Sequence, residues 1–171
     1  MLQNLVKEFQ ENEAQQWPWD DEKPKAETLD EAIKIACLSV DCKGKRHSHQ
    51  RRNPKSALSE LARVLQEQSE KIATASDFEE IHGLVTNSCR PIYGAGELLA
   101  YDVSFRIGLF LGLEPKVVHL HAGTKEGARK LGLNGRYLTM KQLPQELQIL
   151  RPCEVENFLC MYANKIGRSF T

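Results

Sequence analysis

Apolar residues recur at intervals of three or four along most of the chain, and this spacing is typical of amphipathic helices. It predicts helices over residues 2–15, 29–40, 55–74, 77–87, 97–111, 125–131, 143–150 and 152–166, and a short extended stretch over 116–120. Thr28 and Ser76 each precede a glutamate by three residues, which predicts a capping box at the start of two helices. Because no long run alternates between apolar and polar residues, we predict an all-α fold, a compact multi-helix bundle.

Length and composition fit a folded protein with one main domain. The 171 residues include 41% hydrophobic side chains, enough to build a real core. Trp17 and Pro18 interrupt the first helical pattern, so we divide the chain into an N-terminal helix and arm, 1–26, and a helical domain, 27–171. Residues 1–13 lack the apolar centre of a signal peptide. No apolar run is long enough to cross a bilayer, so we expect a cytoplasmic protein without a membrane partner.

The charges lie in blocks, although the formal net charge is zero. Residues 1–42 hold ten acidic and four basic side chains, whereas residues 43–55 hold six basic side chains and no acidic one. A basic block of this density predicts an arm that neutralises nucleic-acid phosphates. Its predicted contact residues are Lys43, Lys45, Arg46, His47, His49, Arg51 and Arg52. The alternatives are a solvated loop, or one that pairs with the acidic block at the N-terminus.

A glycine-containing turn is predicted between two amphipathic helices, over residues 91–96. Gly94 and Gly96 allow the backbone to approach another chain closely, because neither has a Cβ atom. The helix that follows leaves unpaired amides and the positive end of its dipole at the same point. We therefore predict that Gly94, Ala95 and Gly96 contact phosphate, with Ile92 pinning the hairpin into the core. The alternative is a plain turn in a bundle, which Glu97 favours because its carboxylate repels phosphate.

Residues 78–112 resemble the helix-hairpin-helix of the DNA glycosylase superfamily, in which an apolar residue precedes G-x-G and an alanine-rich helix. The resemblance implies a backbone-binding element and a link to DNA repair. That family continues with a V-D-x-H element, whose aspartate is catalytic. The corresponding residues here are Val118-His119-Leu120-His121, so His119 stands where the aspartate would be. Glu97-Leu98-Leu99 occupy the positions after the hairpin where the family has a lysine or glutamine.

Four of the five histidines occur as two His-x-His pairs, His47 with His49 and His119 with His121. In an extended segment the two side chains of a pair point to the same side, so the pairs could converge on a metal or form a catalytic cluster. Neither pair has a third ligand nearby, and we predict no metal. Asp102 lies in an apolar helix, where it either pairs with Arg106 four residues on or lines a pocket with Tyr101 and a histidine.

The five cysteines contain no C-x2-C pair, and such a scattered set is typical of small buried side chains in a reducing compartment. Cys153 and Cys160 have a C-x6-C spacing found in some iron–sulfur proteins, but two further ligands do not follow. We therefore predict no cofactor.

Three functions are open at this point. The first is a binding protein that holds nucleic acid, with DNA as the expected partner, through the hairpin and the basic block. The second is a divergent glycosylase or lyase whose catalytic residues are His119, His121 and Asp102. The third is a protein-interaction module that docks a partner through Trp17, Trp19 and the charged ends.

Overall fold

The computed structural model describes residues 2–16, 23–40, 45–46 and 50–166, except the side chains of residues 13–16. Within these residues the chain is mostly helical, and the only paired strands are two short ones. This confirms the helical class, while a helix-hairpin-helix within it stays a prediction. Internal contacts divide the chain into two compact units, residues 19–114 and residues 1–18 with 115–171. No helix in the described part of the chain has the length and apolar character needed to cross a membrane.

The unit of residues 19–114 is built from helices that surround one apolar cluster. Helix α1 (Leu2–Gln16) belongs to the other unit. The helices of this unit are α2 (Leu29–Leu38), α3 (Lys55–Gln66), α4 (Ser69–Ala73), α5 (Phe78–Cys89) and α6 (Glu97–Leu111). Helix α6 is buried along most of its length, which explains why its sequence is apolar on every side. The cluster includes Ile33, Leu58, Leu61, Leu65, Ile81, Val85, Leu99, Val103 and Ile107.

Two predicted helix boundaries in this unit are wrong. The helix predicted over 55–74 is two helices, separated at Gln68, whose side-chain amide donates to Val64 O at 3.2 Å and to Ser88 Oγ at 3.0 Å. The N-cap of α5 is Asp77 and not Ser76, since the Asp77 carboxylate accepts from the Glu80 amide at 3.1 Å. Serine and aspartate are equally good N-caps, so adjacent candidates cannot be ranked from sequence.

The unit of residues 1–18 and 115–171 contains α1 and the C-terminal elements. These are β1 (Val118–His119), α7 (Ala122–Lys130), β2 (Tyr137–Leu138), α8 (Pro152–Met161), α9 (Ala163–Ile166) and the 3-10 turns Met140–Gln142 and Gln145–Leu147. The strands pair antiparallel, with Val118 opposite Leu138. Phe9 of α1 meets the rings of Phe158 and Tyr162 edge-on, at 5.5 and 5.8 Å between centroids. Helix α1, which was predicted to form a separate N-terminal segment together with an arm, therefore packs within this unit.

Three helices of this unit have bounds that differ from the predicted ones. The helix predicted over 143–150 is a 3-10 turn, the helix predicted over 125–131 begins at Ala122, and the helix predicted over 152–166 breaks at Tyr162. Short helical stretches carry few apolar positions, so their periodicity does not separate an α-helix from a 3-10 turn. Pro152 occupies the first turn of α8, as its missing amide hydrogen permits.

The cysteines give a testable difference in reactivity. Cys37, Cys89 and Cys153 are buried as predicted, but Cys160 is exposed. Burial raises the pKa of Cys89 to about 11 and also raises that of Cys37. Because the thiolate is the reactive form, only about 0.1% of Cys89 is ionised at pH 8. Cys42 lies outside the described residues, so its predicted burial stays a prediction. We expect iodoacetamide to label Cys160 before Cys37 and Cys89, which should react only after unfolding, as measured by peptide mass spectrometry. Equal labelling rates in the native protein would contradict this.

Candidate nucleic-acid interface

The turn between α5 and α6 is held by two backbone hydrogen bonds at its centre. The Ile92 amide donates to Cys89 O at 3.0 Å, and the Ala95 amide donates to Ile92 O at 3.1 Å. The Ile92 side chain is half-buried and packs against the apolar cluster of this unit, which confirms its predicted role as a pin. The turn is therefore ordered by its own bonds and anchored to the core at one residue.

Two amides of the turn have no hydrogen-bond acceptor among the described residues. Gly94 has φ +89°, a left-handed conformation that a residue with a side chain adopts at a cost. Gly94 and Gly96 are both exposed, and among the described residues no protein acceptor bonds to either amide. The Ala95 amide already donates a hydrogen bond inside the turn, so it is not the free donor that the predicted phosphate contact of Ala95 requires. Glu97, the first residue of α6, is exposed and adds one negative charge at this edge.

The turn lies directly against the end of the basic block. A Cβ atom at Gly94 would stand 2.9 Å from Pro54 Cδ, so the backbone of the turn packs closely against the proline ring. Arg51, Arg52 and Lys55, all exposed, lie within three residues of Pro54, and Arg90, also exposed, immediately precedes the turn. We call this set the hairpin surface: Arg51, Arg52, Lys55, Arg90, Gly94 and Gly96. It combines two amides to which no described residue bonds with four exposed cationic side chains near Pro54 or the turn in sequence, and both kinds of group suit phosphate.

The rest of the basic block is only partly described. Lys43, His47 and His49 lie outside the described residues, and Lys45 is exposed. The Arg46 guanidinium donates to Asn53 O at 3.3 Å, and Arg46 forms an isolated antiparallel bridge with Val40. The predicted phosphate contacts of Lys45, Arg46 and the three undescribed residues stay predictions.

Helix α6 makes side-chain hydrogen bonds to residues on both sides of the segment 40–49, the first part of which leads into the basic block. Before the segment, Ser39 is buried with φ 53°, and its Oγ accepts from the buried Arg106 guanidinium at 3.3 Å. After it, the buried Gln50 donates its side-chain amide to the Asp102 carboxylate. Asp102 and Arg106 are one helical turn apart, so one face of α6 holds both anchors. The predicted direct ion pair between Asp102 and Arg106 stays a prediction.

The histidines proposed for catalysis lie in the other unit, and His121 is part of its packing. His119 is half-buried on β1, and His121 is the N-cap of α7, where its amide donates to Thr124 Oγ1 at 2.7 Å. His121 is 5% exposed, and its Nε2 lies 2.8 Å from Oε1 of Glu156, which is 7% exposed. This burial favours a structural role for His121, and the catalytic roles of His119, His121 and Asp102 stay predictions.

Several residues were not assigned a role from the sequence. In the unit of the interface, Ser39 and Arg90 have no motif, and Gln50 stood out only as a polar residue within the basic block. In the other unit, Glu156 gave one signal only, a carboxylate in an apolar helix. No protein-family model, no curated protein and no solved structure matches this chain. Membership of the DNA glycosylase superfamily therefore stays a prediction from residues 78–112.

Proposed function

We propose that the unit of residues 19–114 binds the phosphate backbone of nucleic acid, with DNA as the expected partner, through the hairpin surface. The observation that carries this proposal is the close approach of Gly94 to Pro54, because the amides of Gly94 and Gly96, to which no described residue bonds, then lie near the exposed end of the basic block. Pro54 and Gly94 are about forty residues apart in the sequence, and the packing of this unit brings them together.

The chemistry of the hairpin surface predicts how binding depends on conditions. Contacts to phosphate oxygens carry no sequence information, so a surface that binds through amide hydrogens and cationic side chains to the backbone should show weak sequence preference. Each neutralised phosphate releases condensed counterions. If Arg51, Arg52, Lys55 and Arg90 each contact one phosphate, log Kd should rise with log salt concentration with a slope of roughly 3 to 4. Glu97 reduces the local positive potential and so limits the affinity.

Charge reversal tests the proposal directly. We expect Arg51→Glu/Arg52→Glu to raise the Kd for a fluorescent DNA oligonucleotide by roughly 10- to 100-fold at low salt and to lower the salt slope by about 2. The matched control is Lys34→Glu/Lys71→Glu, which changes the net charge equally at exposed positions outside the hairpin surface. Anisotropy titrations across a salt series give both quantities. Equal weakening by the control, or a Kd that is flat with salt in the wild type, would contradict the proposal.

The two alternatives lead to different results in the same experiment. The glycosylase or lyase alternative requires turnover of DNA with damaged bases or abasic sites, lost in His119→Ala while binding is kept. The interaction-module alternative is favoured if the wild type binds no nucleic acid. The expected cytoplasmic location is part of the proposal and is checked by cell fractionation.

A further inference from the structure

One aromatic side chain stands almost entirely in solvent at the tip of the turn between α5 and α6. Tyr93 is 94% exposed, more than Ile149, Met161 or Tyr137, the other exposed large hydrophobic side chains described. Tyrosine rings bury large areas when they pack inside a protein, so a ring left this open contributes little to the fold. Its neighbours on both sides, Ile92 and Gly94, are held against the protein.

The backbone around Tyr93 is positioned to present the ring outward. The Ile92 amide before it and the Ala95 amide after it are both hydrogen-bonded, and Gly94 lies against Pro54. The backbone that carries the ring is therefore ordered before any ligand binds, and an ordered backbone loses less conformational entropy on binding than a mobile one.

We infer that Tyr93 stacks on an unpaired base, so that the preferred ligand of the hairpin surface is single-stranded nucleic acid. This inference rests on the proposed function. The Gly94 amide, to which no described residue bonds, belongs to the residue after Tyr93, so a phosphate bound there would bring its own base close to the ring. In a blunt duplex the base faces are covered by their neighbours, whereas in a single strand they are open to an aromatic side chain. Basic side chains beside an exposed aromatic ring are the usual elements of such sites.

The test compares three ligands of equal length: a single strand, a blunt duplex, and a duplex with a central single-stranded gap. Tyr93→Ala should raise the Kd for the single strand and the gapped duplex by roughly 5- to 150-fold. Tyr93→Phe keeps the ring and should stay within about twofold of the wild type. The slope of log Kd against log salt should not change, because no charge is removed.

Tyr137→Ala is the matched control, since Tyr137 is 57% exposed but lies in the other unit. Its affinities should equal those of the wild type. Far-UV circular dichroism confirms that each variant is folded, and Tyr93, being exposed, is expected to tolerate substitution.

The possible outcomes separate this inference from the proposed function. If Tyr93→Ala binds single strands as the wild type does while Arg51→Glu/Arg52→Glu is weakened, stacking is wrong and backbone binding stands. Equal loss on single strands and on blunt duplex also overturns the inference, because a base inside a duplex offers no free face. If the wild type binds none of the three ligands, both proposals fail together.

Discussion

Gly127→Ala is expected to destabilise the unit of residues 1–18 and 115–171 by about 3 kcal/mol, the upper end of the usual cost of overpacking and a large part of the stability of a typical protein. Gly127 lies in α7 where this helix crosses α8. A Cβ atom there would be 2.1 Å from Leu159 O and 2.8 Å from Leu159 C, which are backbone atoms that cannot rotate away. The two helices would have to separate, and the apolar contacts between them would be lost.

The measurement is thermal or urea unfolding followed by circular dichroism. A cost of this size lowers Tm by roughly 6–12 °C in a chain of this length. Gly83→Ala is the matched control, because Gly83 is exposed in α5 and an added Cβ there meets nothing within 4 Å. Alanine favours the helix at that position, so a gain of about 0.4–1 kcal/mol is expected. A Gly127→Ala variant as stable as the wild type would show that α7 and α8 are not in close contact.

His121→Leu is expected to lower the free energy of unfolding by about 3–5 kcal/mol. The substitution leaves the Glu156 carboxylate, only 7% exposed, without the imidazole that lies 2.8 Å from it. A buried carboxylate without a compensating partner is costly, whereas two apolar side chains in the same space are not. The double variant His121→Leu/Glu156→Leu should therefore recover much of the loss.

Urea unfolding of the wild type, both single variants and the double variant forms a double-mutant cycle. A coupling energy of at least about 1 kcal/mol is expected for side chains in direct contact. Additive losses would show that His121 and Glu156 do not act as a pair. A His121→Leu variant of full stability would remove the structural role and strengthen the case for catalysis by this histidine.

The turn between α5 and α6 shows which structural features could be predicted from the local sequence. Residues 91–96 and the glycines at 94 and 96 were enough to place a turn, and Ile92 was correctly identified as its pin. The use of the Ala95 amide inside the turn was not predicted, because turn types differ in which amide bonds inward. The exposure of Tyr93 was also not predicted, since the direction of a turn side chain depends on what the turn packs against.

The buried hydrogen bonds of Asp102 and Arg106 could not be predicted from the sequence, for a different reason. Asp102 and Arg106 have the spacing of an ion pair on one helix, and this pattern predicted a local partner. The structure shows that Asp102 also accepts from Gln50 and that Arg106 also donates to Ser39, and both of these partners lie far away in sequence. Local spacing reports which groups share a helix face, and it carries no information about what packs onto that face.

The sequence by itself determined the helical class, the place of most helices and the basic block, because apolar periodicity, N-caps and charge are local properties. Gly112, with φ +74° at the end of α6, is such a local signal. Tertiary structure alone decided that Gly94 meets Pro54, that Gly127 meets Leu159 and that His121 faces Glu156. Each of these contacts joins residues distant in the chain, and it forms only because burying the apolar faces of the helices brings them together.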